Sequence, residues 1–202
     1  MRNVPPALPR AALLVFATTR WGLGSWKLDS ADQALVKTVF SPATFDNDVG
    51  TWGLVRAQLF WLAHDTTHAR QFADSARVAF EAHLKATPND WLQRTSHAMT
   101  LASLGRRDDA IREGQRGLAL ALATGDGYQT IPLARHELAL VYVLTGDRAR
   151  AIAQLDTLIG APYFLTPAWL RIDPTWMPLR DDPGFQKLLA RPLRRLSETT
   201  ER

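Results

Sequence analysis

A spaced set of small and aromatic residues occurs three times in this 202-residue chain, at a constant offset of 41. Ala57, Ala98 and Ala139 correspond, as do Phe60, Leu101 and Tyr142, then His64, Gly105 and Gly146, then Ala69, Ala110 and Ala151. A repeat of that length, holding two helical patterns and a short polar turn, constrains the chain to stacked helix pairs in place of a compact enzyme core. The alanines twelve positions apart let two antiparallel backbones approach, and the aromatic or leucine between them fills the remaining space. The turns read HDTTH at 64–68, GRRDD at 105–109 and GDRAR at 146–150. Their first position calls for left-handed backbone after a helix, which Gly takes freely and His more readily than most residues.

Apolar periodicity predicts helices near 8–20, 29–40, 50–63, 67–86, 90–104, 107–123, 131–145 and 148–159. Turn signals separate them at Ser41-Pro42, Pro88-Asn89-Asp90, Gly125-Asp126-Gly127 and Gly160-Ala161-Pro162. No strand-like alternation persists anywhere, so the fold class is all-α.

Three stretches, LASLGRRDDAIREG, LVYVLTGDRARAIAQL and ADSARVAFEAHLKATPND, resemble tetratricopeptide (TPR) repeats. The units exceed the usual length of about 34 residues, because their second helix is extended. Together with the closing PAWLRIDPTWMPLRDDPGFQKLL, they resemble the C-terminal TPR region of bacterial proteins that often carry a serine/threonine kinase domain upstream. The resemblance covers roughly residues 40 to 190 and no kinase motif is present. It implies a right-handed superhelix of antiparallel helix pairs. The expected organisation is N-terminal helices over 1–45, three helix pairs over 46–160, and an irregular Pro- and Trp-rich cap with a basic tail over 161–202.

Five prolines between Pro162 and Pro183 block a long helix in that cap. Its rings, Tyr163, Phe164, Trp169, Trp176 and Phe185, are expected to cover the face of the last helix pair, which has no next repeat to cover it. Arg171 and Arg180 alternate with Asp173, Asp181 and Asp182, a pattern that suits local ion pairs stapling the cap. A short helix from Pro183 to Ala190 should follow.

Nothing in the composition points to chemistry. With no cysteine there is no thiolate metal cage and no cysteine nucleophile. A net charge of +4 is too small for a massed basic face, so nucleic acid is not an expected partner. Arginines at 106, 107, 112, 116, 148 and 150 read as a solvated, salt-bridged surface. His64 and His68 have the i, i+4 spacing of metal ligands, yet the repeat register puts one at a helix end and the other at the next helix start. His136-Glu137 opens like a zinc-protease HExxH, but the second His is Leu140. Gly22-Leu23-Gly24 lacks the strand and third glycine of a nucleotide loop. Asp108-Asp109 and Asp181-Asp182 sit where helices begin and suit the positive end of the helix dipole. The chain is therefore expected to be non-catalytic, without cofactor or metal. The apolar run Ala11–Ala17 is far short of the ~20 residues that span a bilayer, and its flanks make a poor signal peptide; a cytoplasmic location is favoured, and an extracytoplasmic one suits a membrane-anchored kinase architecture.

In a TPR superhelix the first helix of each pair lines the concave side. That register names Leu54, Gln58 and Trp61, then Thr95, Met99 and Ala102, then His136, Leu140 and Val143 as groove positions. A mostly apolar groove suits an apolar helix or extended segment of a protein or peptide partner, and lacks the Lys, Arg and Asn that would clamp a carboxylate. The competing expectation is that the cap fills this face. Trp52, Trp61 and Trp91 are expected at the surface, where they could serve self-association into a homo-oligomer. A truncated gene fragment is the further alternative.

Overall fold

The computed structural model of the chain describes residues 28–38 and 40–192. The helix expected at 8–20, Gly22-Leu23-Gly24 and the basic tail lie outside the described residues. Among these, all regular structure is helical and the helices pack in adjacent pairs. No helix there is long and apolar enough to cross a membrane. The chain divides into two compact units, Met1–Pro88 and Asn89–Arg202.

In the first unit α1 (Ser30–Thr38) and a 3-10 turn (Pro42–Phe45) lead into the pair α2 (Val49–Leu62) and α3 (Thr66–Ala86). Val36, Phe40, Phe45, Val55 and Leu59 form a buried core, against which Leu28, Leu35 and Trp52 pack. Asp48 starts α2 by accepting hydrogen bonds from the Thr51 amide and hydroxyl, at 2.8 and 2.6 Å. The two helices meet closely at Gly50, where a Cβ would stand 2.6 Å from a ring carbon of Phe80. A side chain there would displace that fully buried ring.

The second unit holds the pairs α4 (Trp91–Ser103) with α5 (Arg107–Ala123) and α6 (Thr130–Leu144) with α7 (Arg148–Ile159). The pairs stack: α6 packs on both α5 and α4. The segment that follows consists of α8 (Pro167–Ile172), a 3-10 stretch (Pro174–Leu179) and α9 (Pro183–Leu189). The 3-10 stretch lies on α6 and α7, and α9 lies on α7 and α8. Trp176, Leu170, Leu179, Phe185 and Leu188 are buried there, so the proline-rich segment adds a third layer of apolar side chains to the last pair.

The same turn closes the first helix of each pair. His64, Gly105 and Gly146 have φ of 59°, 78° and 76°. The amide after each donates to the carbonyl five residues back, Asp65 to Phe60, Arg106 to Leu101 and Asp147 to Tyr142, at 2.9, 2.9 and 2.8 Å. The amides of His64, Gly105 and Gly146 themselves donate three residues back, to Trp61, Ala102 and Val143. This paired bonding satisfies carbonyls that a helix end leaves open. Asp65 and Asp147 then cap the next helix through the amides of His68 and Arg150, both at 3.1 Å. The paired alanines behave alike: Ala57, Ala98, Ala139, Ala69, Ala110 and Ala151 are all buried.

The cap is held differently from the expected ion pairs. Arg180 donates to the carbonyl of Arg171 at 2.9 Å, and Arg171 donates to the carbonyl of Leu189. Asp173 and Asp182 accept from the amides of Thr175 and Gly184, at 2.9 and 2.7 Å. The short aspartates fold back onto helix starts, where amides are unsatisfied, and the long arginines reach carbonyls that helix ends leave open.

Candidate functional site

The positions expected to line a groove fall into two groups. Leu54, Thr95, Met99, Ala102, His136, Leu140 and Val143 are buried. Gln58 is half-buried, and Trp61 is 61% exposed. Trp52 and Trp91 are half-buried, so Trp61 alone of the three tryptophans expected at the surface stands out from it. Thr95 is covered because Gly117 of α5 lies against it: a Cβ on Gly117 would be 2.6 Å from Thr95 Cγ2.

His136 shows what occupies the third pair's inner face. Its ring stacks on Trp176 at a centroid distance of 5.6 Å and 26°, and meets Tyr163 and Phe164 at 5.7 Å each. Its Nδ1 lies 3.1 Å from the Tyr163 hydroxyl oxygen. All three rings come from the C-terminal segment, so the cap fills this face with its own aromatics. The adjacent Glu137 also points inward, beside the Thr95 hydroxyl, and loss of water pushes its carboxyl up to about 7. One of its oxygens, Oε2, is buried without a hydrogen-bond partner. Burial, with the Glu137 charge behind it, pushes the Tyr163 phenol up as well.

A second polar group bridges α4 and α5. Arg94 Nη1 lies 2.5 Å from Glu113 Oε2, and His97 Nδ1 lies 3.9 Å from the same oxygen. The nearby His97 ring and the Arg94 guanidinium hold the Glu113 carboxyl below the usual range. Both clusters are closed to solvent on most sides and join helices to one another.

The near misses resolve locally. His68 Nδ1 lies 2.7 Å from Asp65 Oδ2 and its ring stacks on Phe60 at 5.0 Å, while His64 occupies the left-handed turn. Among the described residues no group of three or more His, Asp or Glu is placed to hold a metal. Asp109 takes Arg106 at 2.6 Å and also pairs with Arg112, and Asp147 takes Arg150 at 2.5 Å. These pairs neutralise much of the arginine-rich surface.

One constellation escaped the sequence reading. In the first unit the guanidinium of Arg56 stands over Phe72, Trp52 and Phe60, at 4.2, 5.2 and 5.7 Å from the ring centres. Trp52 and Phe60 are four residues to either side of Arg56 on α2, a spacing that puts all three on one face and could have revealed the stack. Phe72 arrives from α3. The chain matches no protein-family model, no curated protein and no solved structure.

Proposed function

We propose that this chain is a non-catalytic helix-pair repeat protein of the TPR kind that binds another protein or peptide. The observation carrying the proposal is the threefold turn: His64, Gly105 and Gly146, spaced alike in sequence, have the same left-handed backbone and the same pair of hydrogen bonds. A right-handed superhelix is what such pairs build when they continue in register. The resemblance to kinase-linked TPR regions adds a signalling context, that of a regulatory or sensory segment.

The cap covers the third pair's inner face, so the proposed contact surface is the one around Gln58 and Trp61 on α2. A large exposed indole beside a half-buried amide is a suitable anchor for a partner's apolar segment. Affinity capture from native lysate with the wild type and a Gln58→Ala, Trp61→Ala double variant, both checked by circular dichroism, tests this. A protein retained by the first and lost by the second supports the proposal. Sedimentation of the purified chain separates the competing case, in which Trp61 meets a second copy. Equal retention by both forms, or none by either, sinks it.

A further inference from the structure

Arg56 differs from the other arginines that are withdrawn from solvent. Among the described residues, Arg77, Arg94 and Arg135 are also less than fully exposed, and each is bound: Arg77 to Asp74 and Glu81, Arg94 to Glu113, Arg135 to Gln154. Arg56 is held by rings alone. Its Nε is buried with no hydrogen-bond partner, and the only influence on its charge is loss of water, with no carboxylate opposing it. The terminal nitrogens Nη1 and Nη2 make no hydrogen bond among the described residues and are not counted with Nε as buried and unpartnered, in a side chain that stays part-exposed.

The fork is fixed in place. Trp52 is anchored by its indole nitrogen, which donates to the Phe40 carbonyl at 2.9 Å. Phe72 meets Trp52 edge-on at 5.5 Å and lies parallel to Phe60 at 5.4 Å. A second cation reaches one of these rings: Lys37 Nζ of α1 stands 5.9 Å from the Phe60 centre. Of the acids nearby, Asp65 is engaged by the His68 amide and ring, and the Asp48 carboxylate by the Thr51 amide and hydroxyl. Arg56 and Lys37 thus both contact the Phe60 ring, and among the described residues neither forms an ion pair. Three rings hold the planar guanidinium so that little freedom is lost when it binds.

We propose that Arg56 and Lys37 form a recognition site for an oxyanion, a carboxylate or a phosphate group, on the N-terminal unit. The Nη1 and Nη2 edge supplies two parallel donors to two oxygens, and Lys37 supplies a movable point charge. The site stands on these contacts and does not depend on the repeat-protein reading.

The test follows the arginine side-chain N–H signals by NMR in the whole chain, at constant ionic strength, with inorganic phosphate in one series and acetate in another. The expected result is a saturable shift of the Arg56 signal at millimolar probe in at least one series, with Arg70, which is exposed, as the internal reference. Lys37→Gln leaves every ring in place and is expected to weaken the binding at least threefold; Arg56→Lys keeps the charge, loses the fork and should weaken it further. Saturation with phosphate alone assigns a phosphate ligand, and saturation with acetate alone a carboxylate. A linear drift matching Arg70 in both series, or unchanged affinity in Lys37→Gln, overturns the proposal.

Discussion

The Tyr163 hydroxyl oxygen lies 3.1 Å from Nδ1 of His136, joining the segment beyond the last repeat to the inner face of the last helix pair. Tyr163→Phe keeps the ring contacts and removes this one polar link. The expected loss is about 1 kcal/mol, the usual net worth of a neutral hydrogen bond, read as a lower denaturant midpoint with an unchanged slope. Trp176→Ala removes a fully buried indole stacked on the same imidazole and is expected to cost about 3–5 kcal/mol. Equal losses in the two variants would show that the hydroxyl, and not the rings, holds the cap.

The left-handed turns predict opposite effects for the same backbone position. A Cβ added at Gly105 or Gly146 meets nothing within 4 Å, so Gly105→Ala and Gly146→Ala cost only conformational energy. Each is expected to lower stability by about 1–2 kcal/mol. His64→Gly, at φ of 59°, should raise it by about 1 kcal/mol less whatever the His64 ring contributes. Thermal unfolding of the three variants decides the matter, and a stabilised Gly146→Ala would refute it.

Glu137 predicts the pH dependence of the second unit. Its folded carboxyl sits near 7, well above an unfolded glutamate, so between about pH 4.5 and 7 the folded state binds more protons than the unfolded one. Stability from this residue is therefore complete below pH 4.5 and lost as pH rises through 7. Glu137→Gln, a neutral side chain of the same shape, should gain on the wild type with rising pH, up to about 3 kcal/mol at pH 8. The difference between the two unfolding curves at pH 4.5 and pH 8 measures it, and a constant difference contradicts it.

Close packing of α5 on α4 gives a paired prediction. Gly117→Ala forces a methyl to 2.6 Å from Thr95 Cγ2 and is expected to cost about 1–3 kcal/mol. Adding Thr95→Ser deletes that methyl and should return part of the loss. Part only, because the Thr95 amide and the Trp91 carbonyl stand 3.3 Å from the same point. A double variant no better than Gly117→Ala alone would place the strain at the backbone.

Helix positions were readable in the sequence because apolar spacing and turn residues are local. The expected boundaries from 50 to 159 lie within two residues of those observed. The left-handed turn was readable for the same reason, even where His64 replaces glycine. Side-chain commitments were harder. Nothing local reveals that Arg171 and Arg180 seek carbonyls over the nearby aspartates, since the choice depends on which helix ends come close in space. Whether Thr95, Met99, His136 and Leu140 line an open groove or lie beneath the cap was not legible, because the register gives direction without saying what lies on top. Arg56 lay in view, spaced by four from Trp52 and Phe60, but its meaning depends on Phe72 arriving from another helix.

The rings that close over His136 belong to residues 163, 164 and 176, all encoded after the last repeat. During synthesis from the N-terminus, the inner face of α6 therefore leaves the ribosome while the rings that cover it are still held inside. The nascent chain carries an uncovered imidazole and a buried-type carboxyl, Glu137, through that interval. A released chain ending at residue 160 should have a hydrated, protease-sensitive second unit that tightens when residues 161–192 are restored.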